Sequence, residues 1–398
     1  MRDTISFVKY KSTICFFEHS TTCFICENEY NETDRKIINP GCNHCICSTC
    51  VTRMHTDNGT NKSRCPYCKQ FSKVFLDANT DKYKLLIEFL KEDSFNDALS
   101  LAKIFSLNRT SDMGSTALHL AAGSGQDQIV RTLLKNGAAV DAVTQRGLTA
   151  LMLSAHNGHE QVARALLENG AAVDAQNNAG VTALMLSANN GHEQVARALL
   201  EKGAAVDTVG PQGFTALMLS ASGGHDLCAR ALLENGAAVN ARLPNGFTAL
   251  MHSAQNGHEQ VARALIEAKA NLEMVNNRGG NALILSCMNG HEQVAHALLV
   301  NGANVHYALD DGSNSLLYAA QNGHDKVVRT LLENKAAVNA TPQNGTTALT
   351  LAAQNGHEQV VRVLLKNGAD PNMANDAGST ALIAAAVKGH VACTRVLL

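Results

Sequence analysis

The chain has no tryptophan, and only 4% of its 398 residues are aromatic although 45% are hydrophobic. A core of that composition is built from Ala, Leu and Val, which favours closely stacked helices over layers of large aromatic side chains. Neither sign of charge predominates, since 33 Lys and Arg against 35 Asp and Glu leave a formal net charge of −2. The chain therefore lacks the basic footprint of a nucleic-acid binder, and no polybasic run points to a membrane surface. No apolar run approaches the roughly 20 residues that cross a bilayer. Charges at Arg2, Asp3, Lys9 and Lys11 interrupt the start, which does not read as a secretory signal. The expectation is a cytoplasmic chain, too long for one ordinary domain, with no nucleic-acid partner and no membrane insertion.

Cysteine, by contrast, is plentiful and unevenly spread. Nine of the twelve lie between Cys15 and Cys68, six of them as the pairs Cys23/Cys26, Cys47/Cys50 and Cys65/Cys68 with two residues between. Disulfide frameworks rarely look like this, and in a reducing compartment such pairs read as thiolate metal ligands. In order the candidates are Cys23, Cys26, Cys42, His44, Cys47, Cys50, Cys65 and Cys68. Zinc takes four such ligands tetrahedrally, so eight ligands imply two ions. A segment this short and polar buries too little core to fold alone, whereas structural zinc contributes roughly 10–16 kcal/mol per site. Tetrahedral coordination is satisfied either by neighbouring pairs closing side by side or by interleaved pairs.

The Cys42-Asn43-His44 spacing, with histidine fourth among the ligands, resembles the RING finger and differs from PHD fingers, whose histidine comes fifth. The resemblance implies interleaving: Cys23, Cys26, Cys47 and Cys50 on one zinc, and Cys42, His44, Cys65 and Cys68 on the other. It also implies a ubiquitin ligase with no covalent catalytic residue, which holds a ubiquitin-charged conjugating enzyme so that a substrate lysine attacks the thioester. Proximity and orientation then supply the rate. The positions that dock the conjugating enzyme in ligase-competent RING fingers are here Ile25, Met54, Pro66 and Lys69, although Trp or Leu is more usual where Met54 stands. Cys15 and Cys45 fall outside the pattern, and Cys45 reads as a small buried or partly exposed thiol.

These readings divide the chain into an extension at 1–20, a RING domain at 21–76, a connecting segment at 77–110 and a repeat array at 111–398. In the connecting segment Leu85, Leu86, Phe89 and Leu90, then Phe95, Ala98, Leu99, Ala102 and Phe105, recur at three- and four-residue intervals. That spacing predicts two amphipathic helices, suited to capping the array.

The array declares itself by a Thr-Ala-Leu signature at Thr116, Thr149, Thr182, Thr215, Thr248, Thr347 and Thr380, with Asn281 and Asn314 in the two skipped places. The step is 33 residues, and Asn-Gly-His-Glu-Gln-Val followed by Leu-Leu and Gly-Ala completes the likeness to the ankyrin repeat. Nine repeats fit, the last incomplete. In the second, Thr149 is expected to cap a short helix ending at Asn157, with Gly158 left-handed. Val162, Ala163, Leu166 and Leu167 should then line a longer helix that ends at Gly170. Lys269 and Lys335 stand where other repeats have that terminal glycine. A histidine recurs at one position, from His159 to His390, and reads as structural because rings a repeat apart cannot share an ion. The residue before the signature, outward-facing in ankyrin proteins, is Leu148, Val181, Phe214 and Phe247 in repeats two to five, then Gly280, Ser313, Thr346 and Ser379. The four apolar residues form a candidate substrate-binding stripe.

The expected fold is thus mostly α, a small zinc-stabilised α+β RING domain followed by an ankyrin-repeat α-solenoid. The expected function is a RING-type ubiquitin ligase that recruits protein substrate with its array. A zinc-stabilised adaptor or scaffold without transferase activity is the alternative. Ankyrin arrays joined to ubiquitin modules also look like bacterial effectors, which would act in host-cell cytoplasm.

Overall fold

A computed structural model of the chain describes residues 36–38, 45–47, 108, 110–111 and 113–398. It forms two units, 1–145 and 146–398.

In the first unit, strands β1 (Lys36–Ile38) and β2 (Cys45–Cys47) pair antiparallel, with Ile37 opposite Ile46. Among the described residues one helix pair follows in this unit, α1 (Ala117–Gly123) and α2 (Asp127–Lys135). Thr116 caps α1 reciprocally: its hydroxyl accepts from the His119 amide at 3.4 Å, while His119 Nδ1 accepts from the Thr116 amide at 3.1 Å.

The second unit is eight further helix pairs. The first members are α3 (Ala150–Asn157), α5 (Ala183–Asn190), α7 (Ala216–Gly223), α9 (Ala249–Asn256), α11 (Ala282–Met288), α13 (Ser315–Gln321), α15 (Ala348–Gln354) and α17 (Ala381–Val387). Their partners are α4 (Glu160–Glu168), α6 (Glu193–Glu201), α8 (Asp226–Glu234), α10 (Glu259–Glu267), α12 (Glu292–Val300), α14 (Asp325–Glu333), α16 (Glu358–Lys366) and α18 (Val391–Leu397). Within this unit each helix packs on its partner and on its counterparts in the neighbouring pairs. Such an array has no single core, only a series of buried seams.

The local rules explain each pair. Thr149 Oγ1 accepts from the Met152 amide at 3.2 Å and starts α3, which Gly158 ends at φ +78°. Asn281 and Asn314 do the same work where the threonine is missing, accepting from Ile284 at 2.9 Å and Leu317 at 3.1 Å. The broken signature therefore leaves the helices intact. Leu151, Met152, Ala155, Val162, Ala163 and Leu166 are all buried, and the alanines among them let adjacent helix axes approach. Lys269 and Lys335 are left-handed, at φ +64° and +70°, as their positions predict. Gln212 is a third such residue, in the Gly210-Pro211-Gln212-Gly213 turn. Successive finger turns are joined by backbone bonds such as Asn277 N to Asn245 O at 3.0 Å. Among the described residues no helix is long and apolar enough to cross a membrane.

Candidate protein-binding groove

The repeated histidines set the spacing on which any binding surface depends. His192 Nε2 donates to the His156 carbonyl at 3.0 Å, and His225, His258, His291, His324, His357 and His390 reach the preceding repeat in the same way, at 3.0–3.1 Å. A carbonyl only accepts, so Nε2 carries the proton in every case. Each ring lies against the left-handed glycine of the preceding repeat. A Cβ on Gly158 would sit 2.5 Å from His192 Nδ1. The histidine column is therefore a row of bolts between repeats, as its sequence spacing implies.

On the other edge lie the residues preceding the helix caps. Leu148, Val181, Phe214 and Phe247 are all half-buried, not free-standing outward side chains. Phe214 and Phe247 close on one ring between them: their centroids are 5.6 and 5.3 Å from that of His252, at tilts of 37° and 43°. The two phenylalanine rings thus spend part of their apolar surface on the imidazole, a contact that aromatic faces and edges favour. The large apolar side chains that are exposed lie elsewhere, at Val209, Leu227 and Val300 among others.

His252 escaped the sequence reading, although a signal was present. It sits in a column that is otherwise Leu120, Leu153, Leu186, Leu219, Leu285, Tyr318, Leu351 and Ala384. Its Nε2 is buried without a hydrogen-bond partner among the described residues, and burial lowers its pKa from the ordinary value. Burial thus disfavours the charged form of this ring. The ring faces a hollow of about 410 Å³ with Phe214, Leu243 and Phe247.

Beyond Phe247 the cap-preceding residue becomes Gly280, and where a ring stood in the two preceding repeats the array opens into a larger groove of about 570 Å³. Ile284, Leu285 and Met288 of α11 line it, Phe247 and Tyr318 stand to either side, and the finger residues Asn245, Asn276, Asn277 and Arg278 complete it. Phe247, Asn245 and Gln255 line both hollows, so the two lie side by side. The size of the larger groove and its mixture of apolar floor and sparse polar groups are those of a ligand-binding cleft.

The predicted zinc ligands Cys23, Cys26, Cys42, His44, Cys50, Cys65 and Cys68, and the docking positions Ile25, Met54, Pro66 and Lys69, lie outside the described residues. Of Cys47 only the backbone is described, at the end of β2. The predicted helices between 77 and 107 lie outside them too. Asn108, just before the expected start of the array, already accepts from the Ala139 amide at 2.8 Å, as Asp174 does from Ala205 and Asp207 from Ala238 in later repeats.

Comparison with known proteins agrees with this geometry. The family model for ankyrin repeats in three copies matches residues 78–177, 170–243, 238–308, 297–375 and 316–398. Among solved structures the chain is similar to the human ASB11 ankyrin repeat domain, with 27% sequence identity and a TM-score of 0.50 over 54% of this chain and 97% of that one. No curated protein sequence matches it. With the family model covering everything from residue 78 onward and the helix pairs repeating as the signature demands, the chain belongs to the ankyrin-repeat family.

Proposed function

We propose that this protein is a RING-type ubiquitin ligase whose ankyrin array recruits the protein substrate. The carrying observation is the run of eight ligands from Cys23 to Cys68 in the order three cysteines, one histidine, four cysteines. Seven thiols and one imidazole are a donor set suited to two structural zinc ions. Cys23, Cys26, Cys47 and Cys50 hold one ion, and Cys42, His44, Cys65 and Cys68 the other. The antiparallel pairing of β1 with β2 supports this reading, since it brings the backbone at Cys47 against Lys36, with Cys42 and His44 between the two strands in sequence. The zinc supplies folding energy and no chemistry of its own.

In this reading Ile25, Met54 and Pro66 dock the conjugating enzyme, and Lys69 contacts that enzyme and its ubiquitin together. The substrate lysine amine attacks the thioester carbonyl, an isopeptide bond forms, and the conjugating enzyme's cysteine leaves as the thiol. Orienting the two reactants is the whole contribution of the RING. An array that binds protein belongs to the same logic, holding the lysine within reach in the cytoplasm or, for a delivered effector, in the host-cell cytoplasm.

Met54 favours a second reading, a zinc-stabilised adaptor that joins partners and transfers nothing. Lysine discharge from a panel of ubiquitin-charged conjugating enzymes separates the two, measured with wild type and Ile25→Ala and accompanied by zinc analysis. The ligase reading expects two zinc ions per chain, accelerated discharge, and loss of that acceleration in Ile25→Ala with zinc unchanged. Full zinc without acceleration by any enzyme of the panel establishes the adaptor.

A further inference from the structure

We infer that the groove at Gly280 is an anchoring site for an extended peptide segment carrying a large apolar side chain beside an acidic residue. The inference rests on the array's being a protein-binding surface and is independent of the zinc reading.

The apolar half of the argument is a missing side chain. Phe214 and Phe247 fill the space before their helix caps, but the next repeat places Gly280 there. The gap is floored by Ile284 and Leu285, both buried, together with Met288, and it stays open between Phe247 and Tyr318. Aliphatic, thioether and aromatic surfaces in one cleft suit a large aliphatic or aromatic side chain, whose burial is favourable in proportion to the apolar area removed from water.

The polar half decides what flanks it. Asn277 gives its Nδ2 to the Pro244 carbonyl and Asn289 gives its own to Leu285, which leaves both Oδ1 atoms as unused acceptors. Asn245 Oδ1 accepts from the Phe247 amide, which leaves its Nδ2 as an unused donor. Unspent donors and acceptors along this groove match the alternating N–H and C=O groups of an extended backbone. The one charged residue lining the groove is Arg278, whose guanidinium has no hydrogen bond or ion pair among the described residues. By contrast, Arg164, Arg197 and Arg230 each hold a glutamate of the next repeat at 2.7–2.8 Å. A lone guanidinium beside an apolar cleft is complementary to one carboxylate. It is too little positive charge to track a nucleic-acid backbone.

The test presents the full chain with a positional library of short acetylated peptides in a Gly/Ser background, varying one anchor residue and its neighbour. Leu, Met or Phe should be selected over Ala or Lys at the anchor, and Glu or Asp over Gln beside it. Gly280→Phe, which restores the ring found in the two preceding repeats, should weaken the selected peptide about tenfold or more, the loss expected when an anchor pocket is closed. Its Cβ would stand 3.3 Å from Asn276 Nδ2, a tight contact with a side chain that accepts from the Arg278 and Gly280 amides, so the melting of the variant is measured beside its binding. Arg278→Glu should invert the neighbour preference toward Lys, and Ser379→Phe, the same position three repeats on, should change nothing. Absence of apolar selection, selection that survives Gly280→Phe, or an unchanged neighbour preference in Arg278→Glu would each overturn the inference. So would a concentration-dependent dimer dissociated by Gly280→Phe, which would assign the groove to a second copy of the chain.

Discussion

Replacing Gly191 by alanine should cost far more than the same change at Gly170, although both glycines are left-handed and both end a helix. Gly170 has φ +82°, and a Cβ added there would meet nothing within 4 Å, so alanine incurs only the backbone penalty. That penalty is about 1–2 kcal/mol, offset by about 0.4–1 kcal/mol from the stiffer unfolded chain, a net loss of about 1 kcal/mol. Gly191 has φ +75°, and its added Cβ would lie 2.5 Å from His225 Nδ1. The ring must retreat, and with it goes the bond from Nε2 to the Asn189 carbonyl at 3.0 Å. Losing that bond adds about 0.5–1.5 kcal/mol, and loosened packing between repeats brings the expected total to about 2–3 kcal/mol. Urea titration followed by circular dichroism, with amide exchange resolving repeats three and four, measures both changes without assuming that the array unfolds in one step. In a His225→Ala background the two glycine substitutions should cost the same. Equal losses in the wild-type background, or an undiminished difference without the ring, would refute the claim that the histidine and the glycine are one device.

His252→Leu should raise stability by about 1 kcal/mol, since it removes a buried nitrogen without a partner, and it should flatten the pH dependence. The sign follows from a folded pKa lowered by burial: the unfolded chain takes up the proton first, so wild-type stability falls as pH drops through about 6.5 toward the lower folded value. Urea midpoints across that range check it, and an equally steep fall in the variant would count against it. Lys269→Gly should stabilise the fifth repeat by about 1 kcal/mol by relieving the left-handed lysine, read as slower amide exchange in α10; no gain there would mean that the lysine is not strained.

How much of this was legible in the sequence follows from the range of the interactions involved. Caps at Thr149, Asn281 and Asn314, helix ends at Gly158 and Gly170, and the left-handed Lys269 and Lys335 depend on bonds and torsions within about one helical turn, and a 33-residue period repeats those local rules until they are unmistakable. The proposed zinc ligands are likewise a statement about spacing, carried by residue type and order from Cys23 to Cys68. The proposed binding surface depends on neighbours a full repeat away. Phe214 and Phe247 stand at matching positions in sequence, yet that both pack against His252 follows only from where stacking places that ring. Gly280 reads as a lost side chain, but it becomes an open groove only because Ile284, Met288 and Tyr318 are brought around the gap by stacking. Periodicity determines the repeated backbone; the shape and chemistry of the groove are set by the few side chains that break the repeat, and their effect exists only once neighbouring repeats have packed.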